Sequence, residues 1–357
     1  MANTTISTGL KVARWSQKLF TEYVRESRYF RYMSKKGDNV IYVNEELGTK
    51  AGDNITFGLV MELDGDGVEG DDTLEGQEEN MSNYDDTVTV NQLRHAVSVG
   101  RMEQKRTMLE VLDVARERIK KWSMKKLRDL ITARLLCFNL DGVTTFAAST
   151  ETQLDAALSA NTDRVLFGTL LSNRSTTDHS ASLANVDTTD DTLDTGIGGL
   201  LARIAETADP KITPITVSED EEWWVAFIGT NPYRDMKASL DTIHQNAGPR
   251  DMKENPIFRA GDLVHNATIY RKIPEMASLG NIGAASAPVY NVAFCGQQAM
   301  LLGWAEMTRA IRNGKDGSDY GNVKGVGVAE IRGGKKTVFN DKFHGIVQGY
   351  VAAAADA

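Results

Sequence analysis

Between Arg101 and Asp141 the sequence contains neither glycine nor proline. Within that run Met108, Leu112, Ala115, Ile119 and Trp122 recur at helical spacing. Met124, Leu127, Ile131, Leu135 and Phe138 continue the stripe after a slip of phase. The pattern predicts one helix over 103–138, roughly 50 Å long at 1.5 Å per residue. It is too charged to sit in a bilayer and lacks the strict heptad of a coiled coil. A helix of this length in a chain of 357 residues acts as a beam to which other elements attach.

The rest of the composition is that of a globular protein. Hydrophobic residues make up 41% and charged residues 25%, which excludes a disordered or collagen-like chain. The length predicts about two domains. No stretch reaches the roughly 18 apolar residues of a membrane helix. The start, MANTTISTGL, has no basic segment followed by an apolar one, so no signal peptide is expected. Two cysteines, Cys137 and Cys295, make neither a disulfide framework nor a metal cage and fit a reducing compartment.

The net charge of −9 hides strong segregation. Residues 1–36 carry eight bases against Glu22 and Glu26. Residues 62–86 carry eleven acids and no base, and residues 94–134 carry twelve bases against five acids. Such blocks are either solvated faces or interaction surfaces. Blocks of opposite sign in one chain add weight to copies docking on one another.

Val12, Trp15, Leu19 and Tyr23 predict an amphipathic helix within 9–33, rich in aromatics and bases. Such a stripe packs on protein more often than on nucleic acid. Residues 40–43 read as a short strand, and 55–61 and 87–99 as longer ones. The alternation in 87–99 is imperfect. Between the longer strands runs LDGDGVEGDDTLEGQEEN, far beyond a normal hairpin loop; a loop of this kind is functional or ordered by a partner. Thr189 or Asp190 is expected to cap a helix whose core face is Leu193, Ile197, Leu200, Leu201 and Ile204. A strand over 223–229 leads to Asn231 as cap and Pro232 at the first helical position. That helix carries Tyr233, Met236, Leu240 and Ile243 and stops at Gly248-Pro249. Further strands are expected near 262–272, 290–295, 325–332 and 336–348. The pattern is α+β rather than a regular βαβ array.

Catalytic constellations fail one by one. Gly196-Ile197-Gly198-Gly199 follows a polar run rather than a strand and misplaces the third glycine of a dinucleotide fingerprint. Glu62, Asp64, Asp66 and Gly67 resemble the start of a calcium loop, but the twelfth position is Thr73 where a glutamate is required. The five histidines are scattered, and neither a metalloprotease motif nor a nucleophile elbow occurs. No catalytic residue, cofactor or metal site is expected.

The order of parts is the informative feature. A basic helical arm, a long hairpin, an uninterrupted helix and a mixed α+β remainder resemble the major capsid protein of tailed bacteriophages, with the HK-ninety-seven-type capsid fold. The closer resemblance is to the coliphage N-four-like family. It is carried by RYFRYMSKKGDNVIYV, GDNITFGLVMEL, VAFIGTNPYRDMKA, ENPIFRAGDLVHNATIYR, VAFCGQQAMLLGWAE and DYGNVKGVGVAEIRGGKKTVF, which together span most of the chain. The resemblance implies an N-arm and first strand over 1–50, an extended loop over 51–101 and the spine helix of a peripheral domain over 102–140. It further implies an axial domain with returning peripheral strands over 141–310 and C-terminal strands over 311–357.

It also implies a non-enzymatic coat protein that self-assembles as hexamers and pentamers into the icosahedral head around double-stranded DNA. Assembly would take place in the host cytoplasm. The partners would be other copies, a scaffold, a portal and in some cases decoration proteins, with non-specific proximity to DNA and no membrane. A cellular nanocompartment shell of the same fold and an enzyme of an unrelated α+β fold are the alternatives. For a shell, the acidic tip, with Asp64, Asp66, Glu69, Asp71 and Asp72, needs a landing surface on a neighbour. The expected bases are Arg116, Arg118, Lys120, Lys121, Lys125, Lys126 and Arg128. Some capsids of this fold weld neighbours through a lysine on the extended loop. No lysine lies between Lys50 and Lys105, so that chemistry is not expected.

Overall fold

The computed structural model describes residues 28–45, 52–106 apart from Glu62, Asp64, Asp66, Asp71, Asp72, Leu74 and Gln77, and then 111–218, 221–246, 258–259, 262–312, 319–320 and 322–354. The stripe Val12, Trp15, Leu19 and Tyr23 and the stop at Gly248-Pro249 lie outside the described residues.

In chain order the elements begin with strands β1 (Met33–Ser34), β2 (Ile41–Asn44), β3 (Asn54–Val60), β4 (Asn83–Thr89) and β5 (Asn91–Gly100). Helices α1 (Arg101–Arg106), α2 (Val111–Leu135) and α3 (Glu151–Ala160) follow, then β6 (Val165–Phe167), α4 (His179–Ala184) and α5 (Thr195–Thr207). Next come β7 (Ile215–Ser218), β8 (Glu221–Ile228), α6 (Thr230–Asn246), β9 (Phe258–Arg259), β10 (Asp262–His265), β11 (Thr268–Lys272) and β12 (Val289–Cys295). The chain closes with β13 (Met300–Arg312), β14 (Val323–Lys336), β15 (Val338–Phe339), β16 (Lys342–Phe343) and β17 (Ile346–Ala352).

Among the described residues the chain divides into two compact units. The smaller takes 94–125 and 308–329, and the larger takes 27–93, 126–307 and 330–357. Neither unit is a single stretch of the chain.

The larger unit is built on a mixed sheet in the order β6-β17-β12-β8-β11-β10-β9, with β7 also paired to β8. Successive side chains in a strand point to opposite faces, and the two faces here carry separate cores. Val225, Phe227, Ala293, Cys295, Ile346 and Tyr350 pack with Leu127, Ile131, Leu135, Phe138 and Tyr29. Trp224, Ala226, Ile228, Val292, Phe294, Val347 and Val351 pack with Ile197 and Leu201 of α5 and Met236 and Leu240 of α6. Every residue of β17 is buried, as expected of a strand covered on both faces. Each large aliphatic side chain so buried contributes about 1.5–3 kcal/mol. Of the aromatic, basic N-terminal stretch, Tyr29 is fully buried, edge-on to Phe227 with its hydroxyl 2.9 Å from Thr132 Oγ1. That tyrosine packs on protein.

In the smaller unit Ala115, Ile119, Val326 and Val328 form a core joined by Val97, Leu112 and Trp122. The phase slip in the α2 stripe now has a cause. The stripe Leu112, Ala115, Ile119 and Trp122 belongs to this core, whereas Leu127, Ile131 and Leu135 belong to the core of the larger unit. One helix serves two cores, and its apolar face changes where the units meet in sequence.

Several local expectations are corrected. The helix expected over 103–138 is described as α1 and α2, with 107–110 outside the described residues and the last helical residue at Leu135. The strand expected over 87–99 is two strands. β4 pairs with β3, and β5 joins the sheet ordered β1-β2-β13-β14-β5. The imperfect alternation in 87–99 marks this change of partner at Val90. The cap of α5 is Asp194, whose Oδ1 accepts from Ile197 N at 2.8 Å, not Thr189 or Asp190. Helix α6 begins at Thr230, so Asn231 lies inside the first turn and its Nδ2 donates to Tyr290 Oη at 2.9 Å. Pro232 still falls in that turn, where no helical donor is lost. Strand β13 has no counterpart in the sequence reading.

Candidate functional site

The β3–β4 hairpin is anchored at its foot and unsupported farther out. The ladder runs from Asn54 opposite Thr89 to Val60 opposite Asn83. Ile55, Phe57 and Val88 are buried with Leu301 in a small separate cluster, and Tyr42 meets Phe57 edge-on at 5.5 Å. Asp86, on the same strand, is 4% exposed. Its carboxylate pairs with Lys335 and accepts from Val338 N at 3.1 Å. A buried carboxylate needs such partners, and here they tie the hairpin to the end of β14. Beyond Phe57, Leu59 and Tyr84 are half-buried, and Val60, Leu63 and Met81 are exposed.

Among the sequence-predicted acids, Asp64, Asp66, Asp71 and Asp72 lie outside the described residues, as does Glu62 of the calcium-like run. Glu69 is exposed. Glu79 accepts from Gly65 N and Glu78 from Gly76 N, both at 2.8 Å, so these two carboxylates serve the loop itself.

The predicted bases separate into distinct settings. Arg116 is exposed and pairs with Asp113 one turn away. Lys120, Lys125 and Lys126 are exposed, while Arg118 and Lys121 are half-buried. Arg128 is 7% exposed. Its Nη1 donates to Glu275 Oε1 at 3.0 Å, and its Nε and Nη2 to Asp129 Oδ1. That guanidinium is engaged inside the fold and does not belong with the surface bases. Arg116 and Lys120 border an apolar groove of about 540 Å³ in the smaller unit, between α2 and residues Thr308, Ala310, Ile311 and Val326–Val328.

Other ionisable groups are structural. Glu151, Asp155 and Asp178 place three carboxylates within 4.8 Å of one another. They accept from Ser180 N, His179 N and Ala181 N and so cap the start of α4. Lys336 is fully buried, with Nζ 2.8 Å from Cys137 O, 2.6 Å from Gln348 Oε1 and 3.8 Å over the Phe343 ring. Burial lowers its pKa to about 8. Gln348 continues the chain of contacts to Asn291 Oδ1 at 2.7 Å. His179 is buried against Phe138 and Phe167, and its Nε2 lies 3.1 Å from Tyr350 Oη. Both cysteines are free and buried, and burial raises both thiol pKa values. A buried thiol with a raised pKa is a poor nucleophile. The sequence reading missed Asp86, Lys335 and Lys336. The only signal was Gly333-Gly334-Lys335-Lys336, two bases after a glycine pair inside a strand.

The sequence matches the phage capsid protein family over residues 3–352. The capsid protein of cyanophage Pam1 superposes with a TM-score of 0.87 at 31% identity, covering 100% of both chains. That of Ralstonia phage GP4 gives 0.74 at 26% identity, again over 100% of both. The major capsid protein of Pseudomonas phage KPP25 is 25% identical over 367 residues, covering 89% of this chain and 93% of its own.

Proposed function

The chain belongs to the phage capsid protein family, and we propose that, as the major capsid protein of a tailed phage, it self-assembles as hexamers and pentamers into the icosahedral head around double-stranded DNA. The observation that carries this reading is the match of the whole chain, in sequence and in fold, to capsid subunits. We read the fold as the HK-ninety-seven type and the family as N-four-like. Residues 1–50 form the N-arm and first strand, 51–101 the extended loop, 102–140 the spine, 141–310 the axial domain with returning strands, and 311–357 the C-terminal strands.

A shell subunit needs stiffness and reach rather than an active site. The 25 residues of α2 supply stiffness, since a continuously hydrogen-bonded helix bends only gently. The hairpin supplies reach. Seven residues per strand at 3.3 Å each carry the tip roughly 20 Å from its foot. Buried ionisable groups with internal partners fit a non-enzymatic role. The acidic tip approaches a neighbour's surface bases, with the exposed Arg116, Lys120, Lys125 and Lys126 and the half-buried Arg118 and Lys121 as the candidate set. Each exposed pair contributes about 0.2–1 kcal/mol, so together they set register and rate rather than bulk affinity. A scaffold and a portal, joined in some cases by decoration proteins, complete the assembly in the host cytoplasm.

The test is assembly itself. Purified protein, alone or with a scaffold partner, is expected to give rings, tubes or closed shells in electron micrographs. Monomers that persist under all salt, crowding and scaffold conditions would overturn the reading.

A further inference from the structure

At the foot of the hairpin a cleft of about 570 Å³ opens in the larger unit, bounded by residues 87–93, the second half of α2 and β14. Four bases line it, Lys126, Arg134, Arg332 and Lys335, against one lining acid, Asp141. Their present engagements differ. Lys335 pairs with Asp86. Arg332 Nη2 lies 3.1 Å from Glu330 Oε1, and the guanidinium sits over the Trp304 ring at 5.5 Å. Arg134 gives its donors to the main-chain oxygens of Gly334 and Val143. Lys126 is exposed and makes no ion pair among the described residues. Asp141 serves its own turn, accepting from Val143 N at 2.8 Å and Thr144 N at 2.9 Å. With Asp86 and Glu330 counted beside Asp141, the bases still outnumber the acids.

One donor is unmet. The Arg332 side chain is 5% exposed, and its Nη1 has no hydrogen-bond partner. A buried donor without a partner is unusual and calls for an explanation. A guanidinium fork is also the group best shaped to take a carboxylate. Val88, Leu130 and Val143 supply apolar walls, and a low local dielectric strengthens any charge contact made between them.

We propose that this cleft is a carboxylate-binding site, and that its occupant is the acidic loop of a second copy of this chain. The chain's own tip is carried roughly 20 Å away from the foot by its strands. Glu69 and Glu75 are the described loop carboxylates best placed to enter, because both are exposed, whereas Glu78 and Glu79 are held by Gly76 N and Gly65 N. The inference rests on the chain being a shell subunit and narrows that reading. Among the surface bases Lys126 makes the contact, and Arg116 and Lys120, which border the other groove, do not.

The test uses unassembled full-length protein and a fluorescent synthetic peptide of residues 62–80, followed by anisotropy at low salt. Lys126→Glu is expected to weaken peptide binding at least about tenfold, while Lys120→Glu leaves it within about twofold. A thermal melt of each variant checks folding, and Lys126→Gln gives a milder second variant. A particle-yield assay adds the charge swap, in which Glu69→Lys restores assembly to Lys126→Glu. Wild-type peptide affinity in a folded Lys126→Glu protein would overturn the inference. So would equal losses from Lys120→Glu, or a cleft that binds duplex DNA and ignores the peptide. If Lys126→Glu assembles normally while loop replacement abolishes assembly, the cleft assignment fails and the shell reading stands. If the wild-type chain never assembles, the shell reading itself fails.

Discussion

His179 and His344 are each held at a pKa of about 4, chiefly because burial disfavours the imidazolium. In the unfolded chain both titrate near the ordinary value of 6.5. As pH falls, the unfolded chain takes up these protons first. Stability present above about pH 6.5 is therefore lost progressively toward pH 4. Urea midpoints at pH 7.5 and pH 5 are expected to differ clearly for the wild type and less for the double variant H179Q/H344Q; an unchanged difference would sink the assignment. Asp86 gives a second expectation. Asp86→Ala leaves Lys335 and Val338 N without their partner, and breaking a buried pair costs about 3–5 kcal/mol. Chemical denaturation reads this directly, and a loss below about 1 kcal/mol would place the pair among ordinary surface bridges.

At the scale of elements, the hairpin and α2 divide their labour by burial. The foot of the hairpin holds Ile55, Phe57 and Val88 in a core, while Leu63 and Met81 beyond the ladder face water. Replacing residues 62–80 by a short Gly-Ser turn removes little buried surface. The thermal midpoint of the unassembled chain is expected to stay within about 2 °C, while particle yield falls. Normal particles from the shortened chain would show that the tip makes no contact between copies. The close passage of β14 beneath the foot depends on Gly333, where an added Cβ would stand 2.1 Å from Thr89 O. Gly333→Ala must push main chain apart and is expected to cost about 1–3 kcal/mol, read by the same denaturation experiment. Wild-type stability there would mean that the strand yields freely.

For the whole molecule, cohesion between copies is expected to come from non-covalent contacts. The stretch between Lys50 and Lys105 offers Arg94 and Arg101 but no lysine amine, and a guanidinium stays protonated and is no substitute nucleophile. Cys137 and Cys295 are both buried. Mature particles boiled in detergent are expected to release this chain as a single band near 39.2 kDa, with or without reductant. A ladder of multimers would contradict this. Particles held by many weak charge and apolar contacts are expected to respond to salt.

The sequence by itself determined the beam, the hairpin and the segregation of charge. Each is a local property: helical spacing without glycine or proline, two β-rich runs around an acidic insert, and blocks of one sign. It also carried the resemblance to capsid proteins, through the order of parts. Pairing and burial are not local, and only the tertiary structure decided them. Strand β13, Met300–Arg312, contains alanine, glutamate, methionine and arginine that favour a helix, and becomes a strand by pairing with β2. The run 87–99 divides at Val90 because its first part pairs with β3 and the rest with β14, which no periodicity predicts. Arg128 and Lys126 sit two residues apart on one helix and look alike in sequence. One is buried against Glu275 and Asp129, and the other opens onto a cleft. A helical turn advances by 100° per residue, so two residues point to nearly opposite sides. What lies on each side is supplied by chain far away in sequence.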